Sequence, residues 1–114
     1  MPLIKLQTNI NLEKSKEKET LESLSKLISQ ELGKPEQYVM AIIEKASFIM
    51  SGAGGDTAYV EVKSLGALNP EKNTQLSEKI CQLLESSLSI SPVRVYINFE
   101  DVERPNWGWN GKTF

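Results

Sequence analysis

Hydrophobic and polar positions change their spacing along the chain in a repeating order. Closely spaced apolar residues near the start predict a short strand over Pro2–Thr8. Over residues 21–32, apolar side chains recur every three or four positions with Glu and Lys between them, which predicts an amphipathic helix. Residues 11–18 are interpreted as a polar loop before this helix, with Asn11 and Ser15 as candidate caps, and Gly33 has the residue type that ends a helix.

The next segments continue the alternation. An apolar run over residues 38–43 has the length of a strand, and its lack of polar gaps predicts a strand covered on both faces. Residues 51–56 are rich in glycine, but no Lys-Ser or Lys-Thr pair follows, so we interpret them as a turn and not a phosphate-binding loop. Alternation over residues 57–64 predicts a third strand.

A second helix and a last long strand are predicted in the second half. Asn69 and Pro70 are the residue types that cap and begin a helix. Its apolar stripe is Leu76, Ile80, Leu83, Leu84 and Leu88. Cys81 lies beside this stripe, and we expect it to be buried and unreactive. Pro92 ends the helical segment, and residues 93–99 are predicted to form the strand.

Strand, helix and strand therefore occur twice, and the two halves are in register. Pro35 and Pro92 are 57 residues apart, half of 114, and each precedes a predicted strand. The same offset matches Leu24 with Cys81. Because right-handed crossovers make the strands within each unit parallel, we predict an α+β fold in a single domain over residues 1–114. Two tandem βαβ units form a four-stranded mixed sheet with two helices on one face.

The other face of such a sheet would be bare. The tail after Pro105 also contains two tryptophans and a phenylalanine, Trp107, Trp109 and Phe114. Large exposed apolar areas are unusual on monomers, so we expect both the bare face and the tail to be buried against other copies of the chain.

Composition narrows the function. A net charge of −2 gives no case for a nucleic-acid partner, and no segment approaches the length of a membrane span. A single cysteine excludes an internal disulfide framework, and the lack of histidine excludes histidine-based catalysis and most transition-metal sites. The start of the chain has no basic region followed by an apolar one. We therefore expect a cytoplasmic protein, with non-classical release left open.

The candidate chemistry lies at Pro2, directly behind Met1. The amide nitrogen of proline has no proton and no basicity. If Met1 is removed, that nitrogen becomes a secondary amine that can take a proton from a substrate, provided its pKa lies near the operating pH. The plainer alternative is that Pro2 is only the first residue of a strand.

Several motifs together indicate a family. They are Met1-Pro2 with the strand behind it, Gly33-Lys34-Pro35-Glu36-Gln37-Tyr38, Ser64-Leu65-Gly66, residues 90–99 and residues 108–114. With these motifs in this order, the chain resembles the macrophage migration inhibitory factor family of the tautomerase superfamily over nearly its whole length. The resemblance implies a homotrimer whose three sheets wrap a central channel, with an active site at each subunit interface. It implies tautomerisation of phenylpyruvate-like keto acids and isomerisation of dopachrome-type compounds, with no metal and no cofactor.

The resemblance also implies roles for individual residues. Pro2 matches the general base, Lys34 the cation that faces the substrate carboxylate, and Leu65 a backbone amide that donates to the same carboxylate. Tyr96 and Asn98 match residues lent by the neighbouring subunit. As alternatives, Lys34 could be a helix-end cation, and Tyr96 and Asn98 could be ordinary strand residues.

The aromatic tail completes the implied pocket. Trp109 and Phe114 match its apolar walls. Trp107 stands where relatives often carry a smaller apolar residue, which would narrow the pocket or change its substrate preference. The alternative is that the tryptophans only fill a subunit interface.

Three classes of function remain open: a cofactor-free tautomerase, a cytokine-like signalling protein with vestigial catalysis, and a plain interaction module. Residues 57–60 lack the Cys-x-x-Cys of the vertebrate cytokines, and Cys81 alone supplies no resolving thiol, so thiol–disulfide exchange is not expected. Nothing in the sequence identifies a receptor.

Overall fold

The computed structural model describes all residues from Met1 to Phe114. A four-stranded sheet in the order β2-β1-β3-β4 and a two-stranded hairpin, β5-β6, accompany two helices. The elements are β1 (Pro2–Thr8), α1 (Lys14–Leu32), β2 (Met40–Lys45), β3 (Ala58–Ser64), α2 (Pro70–Leu88), β4 (Val95–Asp101), β5 (Gly108–Trp109) and β6 (Lys112–Thr113).

The sheet has the mixed topology predicted from the sequence. β1 pairs parallel with β2, β3 pairs parallel with β4, and the two central strands, β1 and β3, are antiparallel. Both helices pack on one face, so the predicted fold of two βαβ units is confirmed. Neither helix is long and apolar enough to span a lipid bilayer.

The core lies between the central strands and the helices. Alternate residues of β1 and β3 and every fourth residue of each helix are fully buried and form one cluster. Its largest members are Ile4, Leu6, Leu24, Ile28, Val60, Val62, Leu76, Ile80, Leu84 and Ile90. The period of two in the strands and of nearly four in the helices is the spacing expected for one buried face of each element.

The two halves repeat with an offset of 56 residues through the helices, because α1 and α2 begin and end 56 positions apart. Leu24 therefore corresponds to Ile80 and not to Cys81. The prediction that Cys81 is buried was wrong: the residue is only partly buried, at the edge of the core. The segment between α2 and Pro92 is one residue longer than the segment between α1 and Pro35, which gives the offset of 57 between the two prolines. This longer segment contains Ile90, which is fully buried.

The predicted helix boundaries were only partly right, because α1 begins within residues 11–18, which were predicted to be a loop. Asn69 caps α2, since its side-chain oxygen accepts a hydrogen bond from the Lys72 backbone N–H at 2.8 Å. The cap residue of α1 is Glu13, whose side chain makes no capping hydrogen bond, so neither Asn11 nor Ser15 caps this helix. Asn11 instead accepts a hydrogen bond from the Lys45 ammonium across the loop.

The second strand of each unit begins later than predicted. Residues 36–38 form a short 3-10 helix, in which the Tyr38 N–H donates to the Pro35 carbonyl at 3.0 Å, so the strand starts at Met40 instead of residue 38. Pro92 opens the equivalent turn before β4. Proline favours such turns because it fixes φ and lacks a donor. Within one chain, β2 is an edge strand with one open face, so it is not covered on both faces.

We call the sheet surface opposite the helices the open face. Its centre is charged, because Lys5 lies between Glu44 at 3.7 Å and Glu61 at 3.4 Å. Exposed apolar side chains lie at its rims, with Met40 on one edge strand and Tyr96 on the other, 61% and 69% exposed. The open face is uncovered within one chain, as predicted, and its most exposed apolar side chains lie on the two edge strands.

Candidate functional site

Pro2 is buried at the first position of β1, at one end of the sheet. Ser64, the last residue of β3, lies directly opposite it. The next pair outward is held by a hydrogen bond, in which the Leu65 N–H donates to the Met1 carbonyl at 3.3 Å. The backbone donor of Leu65 and the Met1–Pro2 peptide therefore lie side by side.

Lys34 belongs to the same end of the molecule. Gly33 adopts a left-handed conformation with φ of 62° and ends α1. The Lys34 backbone is fixed on both sides, because its N–H donates to the Ser29 carbonyl and its own carbonyl accepts from the Ser29 hydroxyl at 2.6 Å. Its ammonium takes part in none of the ion pairs within the chain.

The electrostatic environment of the N-terminus follows from these positions. Burial, and after it the Lys34 ammonium, lowers the pKa of the Met1 amine below its ordinary value. Both causes disfavour a second positive charge at this point. An amine placed here is therefore neutral over more of the pH range than one in water.

The loop after β3 is held rigidly at the same edge. Gly66 has φ of 78°, a conformation that other residues rarely adopt, and its N–H donates to the Asp101 carboxylate at 2.9 Å. Leu65 is half-buried between Ser64 and this glycine. The Leu65 N–H therefore has a fixed direction.

The aromatic tail folds back toward the turn that contains Tyr38. Asn110 and Gly111 both have positive φ and connect β5 to β6 in a tight hairpin. The Trp109 ring meets the Tyr38 ring edge to face, with centroids 6.5 Å apart and planes at 87°. The Phe114 N–H donates to the Trp107 carbonyl at 3.2 Å, so the end of the chain is also attached.

Sequence reasoning missed Tyr38 as a neighbour of this aromatic cluster. It placed the residue inside a strand, whereas the turn after Pro35 brings it to Trp109. The signal available in the sequence was an aromatic residue three positions after a proline and four after Lys34.

Tyr96 and Asn98 lie elsewhere in the same chain. Both project from the open face of β4 and are exposed. Pro2 is level with Ser64 and Asp101, and Asn98 is three residues back along β4 and two strands away. These steps along and across the sheet correspond to a separation of roughly 14 Å between Pro2 and Asn98. Within one chain the structure does not bring Tyr96 or Asn98 to Pro2.

The clefts at this end are open. One of about 490 Å³ is lined by Leu65, Gly66 and the segment after β4. Another of about 410 Å³ includes Trp107, and one of about 260 Å³ includes Trp109 and Phe114. No group of three or more Cys, Asp or Glu side chains is arranged to hold a metal ion.

Together the fold and this cluster define a class: a protein of two βαβ units whose second residue, a proline, lies at the sheet end beside a cation and a backbone donor. The family model described as macrophage migration inhibitory factor (MIF) matches residues 1–114. The chain therefore belongs to the macrophage migration inhibitory factor family of the tautomerase superfamily.

Individual relatives agree with this membership. The chain is 37% identical to the macrophage migration inhibitory factor homolog of Trichuris trichiura, over the full length of both, and 35% identical to the factor of Rattus norvegicus, over all of this chain and 99% of that one. The crystal structure of the homologue from Prochlorococcus marinus superposes with a TM-score of 0.93 at 41% identity, with 98% of each chain covered.

Proposed function

We propose that this chain is a cofactor-free keto–enol tautomerase of phenylpyruvate-like acids, with dopachrome-like compounds as a second substrate class and the amine of processed Pro2 as general base. The observation that carries the proposal is the pairing of the Leu65 N–H with the Met1 carbonyl beside Pro2. Removal of Met1 would create the base and free a backbone donor next to it in one step. Family membership supports an isomerase of this type.

The reaction needs no external oxidant or reductant. The neutral Pro2 amine takes a proton from the carbon next to the substrate carbonyl, and the C–H electron pair forms the enol double bond. As the double bond forms, the carbonyl π pair moves to the oxygen, which then receives the same proton back from the Pro2 ammonium and so regenerates the neutral amine. The reverse sequence converts the enol to the ketone. A base for this task must be neutral at the working pH. Burial, and after it Lys34, lowers the pKa of the neighbouring Met1 amine, and we expect the same two causes to act on the amine of processed Pro2.

Substrate binding is assigned to the groups around Pro2. The Lys34 ammonium, free of ion pairs within the chain, pairs with the substrate carboxylate, and the Leu65 N–H donates to it. Trp109 and Phe114 form apolar walls for the aryl group, and Trp107 restricts its size. Each of these roles is a proposal supported by position at one end of the sheet.

A homotrimer would complete the site. Both edge strands expose apolar side chains while the centre of the open face is charged, which favours contacts between edges over stacking of faces. Three sheets joined in this way would enclose a channel lined by the open faces. Tyr96 and Asn98, too distant from Pro2 of their own chain, would then reach Pro2 of a neighbour.

The test compares two forms of one protein whose N-terminal residue is verified by mass spectrometry. Processed protein should tautomerise phenylpyruvate, whereas protein that retains Met1 should show almost none of this activity, because its Pro2 nitrogen is an amide. Equal circular dichroism and equal oligomeric state are the controls. Equal turnover by both forms would show that Pro2 is not the base.

A cytokine-like signalling role is the second candidate, since the relatives are named as macrophage migration inhibitory factors. Assays of processed Pro2→Gly protein distinguish the catalytic role from the signalling role. Loss of turnover with unchanged receptor binding would assign signalling to a surface outside the catalytic site.

A further inference from the structure

The Ser64 hydroxyl is an unpaired polar group at the proposed site. Ser64 is fully buried, and its Oγ has no hydrogen-bond partner. Leaving a buried polar group unpaired is destabilising, because the group loses its hydrogen bonds to water and gains none in the protein. Thr8, a buried hydroxyl at the other end of β1, donates to the Thr57 carbonyl at 2.8 Å. The orphaned hydroxyl is thus confined to the end of the sheet where Pro2 lies.

The register brings Ser64 next to Pro2. The two residues are directly opposite in the β1–β3 ladder and project from the same, helix-covered face. Since the hydrogen bond from Leu65 to Met1 belongs to the adjoining pair, Pro2 and Ser64 form a non-hydrogen-bonded pair. In such pairs the Cα atoms are about 4.5 Å apart and the side chains approach closely.

With Met1 attached, the Pro2 nitrogen can neither donate a hydrogen bond to the Ser64 hydroxyl nor accept one from it. Its amide nitrogen has no proton and its lone pair is delocalised. Removal of Met1 creates a secondary amine with one N–H and one lone pair. We propose that Ser64 is a positioning residue that accepts the N–H of the processed Pro2 amine and thereby turns the lone pair toward the substrate; this inference rests on the proposed use of Pro2 as the base.

The hydrogen bond persists through the reaction. When the amine takes the substrate proton, the new N–H points into the pocket and the original one stays on Ser64. A hydrogen bond from a charged donor is stronger than one from a neutral donor, so Ser64 favours the protonated amine and raises its pKa. It acts against burial and Lys34. The other charged groups near this end include Asp101, which accepts from the Gly66 N–H, and the Lys63–Glu100 pair on the open face. Glu103 and Arg104 line the cleft that Leu65 and Gly66 share.

Ser64→Ala tests the inference in processed protein. We expect the apparent pKa of Pro2, from the pH profile of kcat/KM and from NMR titration of the Pro2 amine, to fall by about 0.5–1 unit. We expect kcat to fall about 3–10-fold with little change in KM, because the base is less well directed. Ser64→Thr keeps a hydroxyl and should restore the pKa.

Stability gives a readout that does not depend on activity. In protein that retains Met1, Ser64→Ala should be neutral or stabilising, because the hydroxyl there is unpaired. In processed protein the same change should be destabilising. Thr8→Val is the matched control, since it removes a paired hydroxyl far from Pro2 and should destabilise both forms equally without altering the pKa of Pro2.

The outcomes separate this inference from the proposed function. If processed wild-type protein has no tautomerase activity, the proposed function fails, and the NMR titration and the stability comparison still decide whether Ser64 contacts the amine. If wild type is active but Ser64→Ala leaves the pKa of Pro2 unchanged and affects both forms equally, Ser64 has only a packing role and the inference is overturned.

Discussion

At the scale of single residues, small differences in position decide chemical behaviour. Lys34 lies two residues beyond the end of α1, directly after Gly33 turns the chain, and its ammonium is left without an acidic partner. Lys79, by comparison, pairs with Glu31 at 2.5 Å on the helix surfaces. An unpaired cation beside an amine whose pKa is lowered is suited to binding an anionic ligand.

We predict that Lys34→Ala raises KM for phenylpyruvate about 10- to 100-fold, the usual value of a charge-assisted hydrogen bond. KM for the corresponding ester should change much less, because the ester lacks the charge that the ammonium pairs with. Steady-state kinetics on both substrates measure the difference. An equal effect on the two substrates would mean that Lys34 acts on Pro2 or on the fold.

Cys81 should react slowly even though it is only partly buried. Burial, and after it the Glu85 carboxylate, raises the pKa of the thiol. As the pH rises above the ordinary pKa of cysteine, the unfolded chain loses this proton before the folded chain does, so Cys81 makes stability fall with rising pH in that range. Cys81→Ala should flatten this fall in denaturant titrations.

Thiol labelling checks the same point directly. Near pH 8, the native protein should react with iodoacetamide more slowly than the urea-unfolded chain, because less thiolate is present. Labelling of the native protein at the unfolded rate would contradict the raised pKa.

At the scale of elements, the two helices are matched in length and register but begin differently. Each has 19 residues, yet only α2 has a side-chain cap and a proline in its first turn. At their ends, Gly33 and Ser89 both adopt the left-handed conformation, which Gly33 does without steric cost. The sequence signals for helix limits were therefore strong only where such residues occur.

We predict that Asn69→Ala lowers the free energy of unfolding by about 1 kcal/mol, since it removes the acceptor of the Lys72 N–H. Glu13→Ala is the matched control at the start of α1. It removes no capping hydrogen bond and should change stability by less than about 0.5 kcal/mol. Urea unfolding of both variants decides; equal effects would show that the cap is not the cause.

At the scale of the whole molecule, the proposed site is incomplete in one chain. Lys34 and Leu65 lie near Pro2, but Tyr96 and Asn98 face away on the far strand. We predict a trimer in solution, which sedimentation equilibrium at micromolar concentration measures. A monomer would contradict both the assembly and the shared site.

Mixing experiments test whether the site is shared. Processed Pro2→Gly and Asn98→Ala proteins should each be weakly active. When they are unfolded together and refolded at equal amounts, about a quarter of the sites in a closed ring would take both native residues, one from each of two neighbours. Activity should therefore recover to about that fraction. If the mixture shows only the mean of the two variants, both residues act within one chain.

The sequence by itself determined the order of elements. Each strand and helix buries one face, so its apolar residues recur with a period that can be read from that segment alone. It also indicated the family, whose motifs lie along the whole chain. It misplaced the start of β2 by two residues and matched Leu24 with Cys81, since a proline turn and one extra residue before Pro92 shift the register without disturbing the period.

Only the tertiary structure decided what lies beside Pro2. The pairing of β1 with β3 is antiparallel and non-local, and it brings Ser64 and Leu65 to the first residues of the chain. Whether a buried hydroxyl finds a partner depends on atoms from distant segments, so no spacing in the sequence could mark Ser64 as unpaired. The same three-dimensional register separates Asn98 from Pro2 within one chain.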